Sequence, residues 1–189
     1  MKKIVDFGLD VKEYVDLVSR EGVSALVIPA QFMLCSFCPK PHRLRRHGSY
    51  SRFIDDGEEV HKGQILRLFC PIEGKTVSLL PQFLMPHKQA TCDVIGTYFT
   101  KRHMEELPQA VAMAAATKTN PSRQKGACWD QCLAKKAPVL MAHLRPRRTE
   151  EGALLPRLVR HILHGFASPG KALFVHNQRL HARFSVWLL

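Results

Sequence analysis

The 189-residue sequence predicts an α+β protein, β-patterned up to about Pro86 and helical beyond it. Three observations predict this. A Cys35-x-x-Cys38 pair precedes a stretch of alternating hydrophobicity that ends at a third cysteine, Cys70. From Val94 onward the apolar residues recur at helical spacing. Between two helical segments, Thr117-Lys118-Thr119-Asn120 and then Pro121 make a break followed by a helix-start signal.

Taken in order, Ile4 to Ile28 reads as a strand, a helix and a second strand. The helix begins after Asp10, with Val11, Tyr14, Val15 and Val18 on one face; the second strand is Ser24-Ala25-Leu26-Val27-Ile28, closed by Pro29. Residues 1–29 are therefore expected as a β-α-β cap element. Within residues 30–86 a hairpin is expected, from Tyr50 to Ile54, through the Asp55-Asp56-Gly57 turn, to Val60 and the run Gln64-Ile65-Leu66-Arg67-Leu68-Phe69. Residues 87–150 are expected as a helical domain. Val94, Ile95, Tyr98 and Phe99 share a helical face, Leu107 to Ala116 is alanine-rich, and Asn120-Pro121 opens a helix running to about Ala137 and ended by Pro138. Residues 151–189 form a basic tail in which Leu154 to Phe166 reads as one more helix.

The net charge of +12 suits a polyanionic partner, whose counterions are released on contact. Between Ser122 and Thr149 seven Lys and Arg face the single acid Asp130, and no acid follows Glu151. Asp6, Asp10 and Glu13 interrupt any secretory apolar segment, and no run is long and apolar enough to span a bilayer. A bacterial cytoplasmic, nucleoid-associated location without membrane contact is the expectation. In that setting the close cysteine pair points to metal chemistry, not to disulfides.

Cys35 and Cys38 have the spacing at which one tight turn offers two thiolates to a tetrahedral ion, as half of a zinc ribbon does. A second such pair is expected at the end of the hairpin, where the sequence reads Cys70-Pro71-Ile72-Glu73. The expected zinc ligands are thus Cys35, Cys38, Cys70 and Glu73. His42 is the nearest imidazole alternative, and a water-completed site, or three cysteines serving only as small buried hydrophobes, stay open. Cys92, and the pair Cys128 and Cys132 beside Trp129 and Leu133, read as core.

The two helices around Thr117 to Asn120 have the dimensions of a helix-turn-helix. On the second helix, Cys128, Trp129, Cys132 and Leu133 form one side, and Arg123, Gln124, Ala127, Asp130, Gln131 and Ala134 the other. Arg123 can donate to guanine, Gln124 and Gln131 can read adenine, and Ala127 permits close approach to a base. Lys125, Lys135 and Lys136, with Arg145, Arg147 and Arg148, suit phosphates.

The series Cys35-x-x-Cys38, Arg46-His47-Gly48-Ser49-Tyr50-Ser51-Arg52, Arg67-Leu68-Phe69-Cys70 and Lys75-Thr76-Val77-Ser78-Leu79-Leu80-Pro81-Gln82-Phe83-Leu84-Met85-Pro86 resembles an uncharacterised bacterial family related to insertion-sequence transposases. The resemblance covers roughly residues 30 to 145 and implies a zinc-ribbon-like domain followed by a DNA-reading helix-turn-helix. The chain departs from the pattern at Glu73, where the family has cysteine. The Ser78-to-Pro86 block is read as an apolar linker between ribbon and helices.

The expected function is binding of double-stranded DNA as the targeting portion, or a stand-alone relative, of a transposase, with a second copy or a transposition protein as further partner. Two alternatives are a transcriptional regulator with a zinc ribbon, and a structural or protein-interaction ribbon without specific DNA binding. An enzyme is not expected. The carboxylates concentrate before residue 60 and do not make the constellation that holds two metal ions in a transposase core.

Overall fold

The computed structural model describes residues 1–119, 121–144 and 154–184. The fold is α+β, and it divides into two compact units, Met1–Ile54 with His61–Gln89 and Asp55–Val60 with Ala90–Leu189.

A four-stranded sheet in the order β1-β4-β3-β2 organises the first unit. Its strands are β1 (Lys2–Val5), β2 (Arg45–Asp55), β3 (Val60–Cys70) and β4 (Lys75–Pro81). The segment expected as an apolar linker begins inside β4, a central strand. It runs parallel to β1, with Lys2 opposite Ser78 and Ile4 opposite Leu80, and antiparallel to β3, with Leu68 opposite Val77. Leu79 and Leu80 point to opposite faces and both are buried, so the segment lacks the alternation that marks a half-exposed strand. Because β1 lies in this sheet, residues 1–29 do not stand apart as a cap.

Helix α1 (Val11–Glu21) starts with a capping box: the Asp10 carboxylate accepts from the Glu13 amide at 2.8 Å, and the Glu13 carboxylate accepts from the Asp10 amide at 2.9 Å. Tyr14 and Val18 enter a core that includes Val5, Leu66, Leu68, Val77 and Leu79, and the Tyr14 hydroxyl donates to the Gln64 carbonyl at 2.7 Å. The strand expected at Ser24 to Ile28 does not form; Val23–Ala25 is a single 3-10 turn. The Arg46 guanidinium takes the carbonyls of Val23, Ser24 and Leu26 at 3.0, 3.2 and 2.8 Å, acceptors that a strand ladder would need.

The second unit contains α2 (Cys92–Phe99), α3 (Gln109–Ala116), α4 (Arg123–Leu144), α5 (Leu154–Leu163) and α6 (Pro169–Phe184). Thr91 caps α2, which packs against α3 and α6 with Val94, Ile95, Tyr98 and Phe99 buried. The described part of the expected tail is folded here, burying Leu158, Val159, Ile162, Leu173 and Leu180. Helix α4 continues through Pro138 instead of ending before it. The proline lies on the exposed side, while Ala137 and Leu140 are buried. Interior proline costs about 3 kcal/mol. Burying one leucine returns about 1.5–3 kcal/mol.

Gly126 sets the approach of α4. A Cβ at this position would lie 2.9 Å from Met113 Cγ and 3.0 Å from the Tyr98 ring, so only glycine lets the helix close on both. Among the described residues no helix is long and apolar enough to cross a membrane.

Candidate metal centre and nucleic-acid interface

Residues 33–44 fold back on themselves. The Cys35 amide donates to the His42 carbonyl at 2.9 Å and the Leu44 amide to the Met33 carbonyl at 2.7 Å, with Leu34 bridged to Arg43. This ladder carries Cys35 and Cys38 at its turn and His42 on its return, beside Cys70 at the end of β3. The sulfurs of Cys35 and Cys38 each lie 3.6 Å from that of Cys70, and His42 Nε2 lies 3.3 Å from it. All four donor atoms fall within 4.8 Å of one another, a group that can hold a metal ion.

Backbone amides point at the sulfurs as well. Phe37 donates to Cys35 Sγ at 3.3 Å and Glu73 to Cys70 Sγ at 3.4 Å. Burial alone would raise the Cys35 thiol, but the Phe37 and Cys38 amides bring it below its ordinary value. Burial, with the Cys70 and Cys35 sulfurs alongside, pushes the Cys38 thiol up to about 12. Like charges this close disfavour one another, so several thiolates together call for a cation between them.

His42, not Glu73, joins the three cysteines. The Glu73 carboxylate is turned to Lys75, 3.0 Å away, and only its backbone reaches the cluster. Sequence spacing favours the position two after Pro71 because it matches a second knuckle. The signal for His42 is its place on the return of the first one, seven residues beyond Cys35.

On α4, Gly126, Trp129, Leu133, Ala137 and Leu140 form the buried stripe. Opposite them Arg123, Gln124, Gln131, Ala134 and Lys135 are exposed and Ala127 is partly so. Cys128, read as core, is exposed on that same outer side, and Cys132 is half-buried. Asp130 is withdrawn from the outer face. Its carboxylate accepts from the Tyr98 hydroxyl at 2.7 Å and the Gln109 amide at 3.1 Å, and pairs with His103 Nε2 at 2.9 Å. A π-turn over Thr100–Met104 brings His103 there. Burial by itself would raise the Asp130 carboxyl, yet His103 and Tyr98 hold it below its usual range.

Lys125 is also not a free cation. Its ammonium lies 2.9 Å from Asp55 Oδ2, and the Asp55 side chain is 4% exposed. Asp55 Oδ1 accepts from the Gly57 amide at 3.1 Å and from the Thr117 and Thr119 hydroxyls at 3.2 and 2.9 Å. The break between α3 and α4 is thereby pinned to one carboxylate. Burial opposes that charge, but Lys125, Thr119 and Gly57 keep the Asp55 carboxyl below its ordinary range. Sequence reading missed this hub because Asp55 looked like part of a turn signal.

Arg145, Arg147 and Arg148, and the Asn120 cap, lie outside the described residues. Comparison with protein-family models, curated proteins and solved structures finds no match to this chain.

Proposed function

We propose that this protein binds double-stranded DNA through α4, as a relative of the targeting portion of insertion-sequence transposases, and that its cysteine-histidine cluster holds zinc. The outer face of α4 carries the DNA reading. Arg123, Gln124, Ala127, Gln131 and Lys135 form a continuous side, and the helix's single acid, Asp130, is engaged elsewhere. That leaves a face of amides, cations and small side chains, the inventory that pairs with base edges and phosphates in a major groove. Helix α3 and the Asp55-pinned connection supply its support, in the manner of a helix-turn-helix.

The donor set fits zinc. Thiolates bound at about 2.3 Å to one tetrahedral ion lie about 3.8 Å apart, and a thiolate and an imidazole about 3.5 Å apart. The observed separations are 3.6 and 3.3 Å. Cys35, Cys38, His42 and Cys70 would hold the ion, whose charge compensates the thiolates and closes the knuckle against the end of β3. The role is structural, since four protein donors leave no open position.

Selection of bound sequences from random duplex DNA at stated salt tests the DNA reading. Enrichment of a discrete motif is expected, and Arg123→Ala with Gln124→Ala should abolish it while leaving the fold intact. Unchanged selection by that variant would overturn the assignment to α4. Zinc content near one per chain, lowered by His42→Ala and unaffected by Glu73→Gln, tests the ligand set.

A further inference from the structure

One face of the first unit's sheet is closed at Ile4, Ile65 and Leu80 but only half-buried toward the end that carries Phe69 and Thr76, and α4 makes no use of it. Directly opposed residues on neighbouring strands share a face, and the pairs Arg67 with Ser78, Phe69 with Thr76, and Lys2 with Ser78 place all five on one side. The intervening residues Leu68, Cys70 and Val77 point into the core and are fully buried. His47 of β2 stacks on Phe69 with ring centroids 4.9 Å apart and planes 27° apart. His47 is exposed, and Phe69 beneath it is half-buried.

Cations share this side of the sheet. Arg67 reaches across to the Thr76 hydroxyl at 3.2 Å, the Lys2 ammonium lies 3.0 Å from His87 Nδ1, and Arg45 is exposed two residues before His47. The stretches Gly22 to Ile54 and His61 to Gln89 hold nine Lys and Arg against one acid, Glu73, which is paired with Lys75. A half-exposed aromatic stack that shares its side of the sheet with cations and with the hydroxyls of Thr76 and Ser78 is suited to an unpaired nucleobase and its phosphates. Paired bases present no free ring face to such a platform.

We propose that the His47–Phe69 stack, with Arg67, Lys2 and Arg45 on the same side of the sheet, is a second nucleic-acid site that takes an unpaired DNA strand by base stacking. The choice of DNA over RNA rests on the duplex-DNA reading of α4; the stacking chemistry stands independently of it.

Fluorescence anisotropy of the full chain with a labelled twelve-nucleotide oligodeoxythymidine, beside a duplex of the selected sequence, tests this at one salt concentration. His47→Ala is expected to weaken the single strand about tenfold or more and the duplex less than twofold. Phe69→Leu keeps an apolar side chain at this position, so its equal effect, with an unchanged thermal transition, would separate loss of stacking from loss of fold. Arg67→Gln should lower the salt slope for the single strand by about 0.7.

Single-strand affinity unchanged in both His47→Ala and Phe69→Leu overturns the site, as does its loss in Arg123→Ala with Gln124→Ala. Tighter binding of oligouridine than of oligodeoxythymidine overturns the choice of DNA. Single-strand binding that survives where duplex selection fails sustains this site and sinks only the α4 reading.

Discussion

The two units tie irregular chain to regular structure by opposite chemistry. In the first, residues 33–44 are joined to the end of β3 by three sulfurs and an imidazole. In the second, the α3–α4 connection and the π-turn are joined to their helices by two carboxylates, Asp55 and Asp130, each accepting several hydrogen bonds. The first arrangement, with the zinc proposed above, would draw on a cation from outside the chain. The second is complete within the chain and is sensitive to acid. Chelation should remove the first kind of tie and leave the second in place, whereas acid protonates thiolates and imidazole as well as carboxylates and weakens both.

Removing the proposed zinc is the strongest way to break that comparison. Chelation or Cys70→Ser is expected to cost the first unit most of the roughly 10 kcal/mol that a structural zinc supplies. Near-ultraviolet circular dichroism should lose the Tyr14 and Tyr50 signals. Fluorescence of Trp129, buried against Tyr98 in the second unit, should persist. Concerted loss of both signals would show that the two ties are not independent.

Breaking the carboxylate hub comes next. Asp55→Ala should destabilise the second unit by about 2–3 kcal/mol, below the range for a fully buried pair because the Lys125 side chain is 22% exposed. The folded Asp55 carboxyl titrates below its unfolded value near 3.9. Its stabilisation is therefore complete above that value and lost as pH falls through the lower folded one. Denaturant unfolding followed by Trp129 should show wild type and Asp55→Asn converging at low pH; a constant gap would place the effect in packing instead of charge.

Close packing offers a smaller test. Gly170, the second residue of α6, lies directly against the Asp93 carboxylate of α2, and a Cβ there would collide with Asp93 Oδ1. Gly170→Ala should cost about 1–2 kcal/mol, read from the same Trp129 transition, with metal content unchanged. The least effect is expected from Glu73→Gln, within about 0.5 kcal/mol by thermal unfolding, since its ion pair with Lys75 is exposed. A larger loss, accompanied by loss of metal, would return Glu73 to the ligand set.

Much of the architecture was legible because local rules suffice for it. Asp10 and Glu13 announce α1, Asp55-Asp56-Gly57 announces the hairpin turn, and Cys35-x-x-Cys38 with Cys70 announces the cluster. Where sequence reading failed, a distant partner had overridden the local signal. Arg46 captured the carbonyls of the expected second strand, burial on both faces hid β4, and Leu140 carried α4 past Pro138.

The sequence by itself determined the α+β class, the division into a cysteine-bearing β region and a helical region, three of the four donors, and the amphipathic sense of α4. These follow from residue type and short-range spacing. Only the tertiary structure decided that His42 joins the cysteines, that Lys125 and Asp130 are engaged inside the second unit, and that His47 and Phe69 stack on one face of the sheet. Each depends on bringing together residues far apart in the chain, and on a competition for partners that spacing alone does not encode.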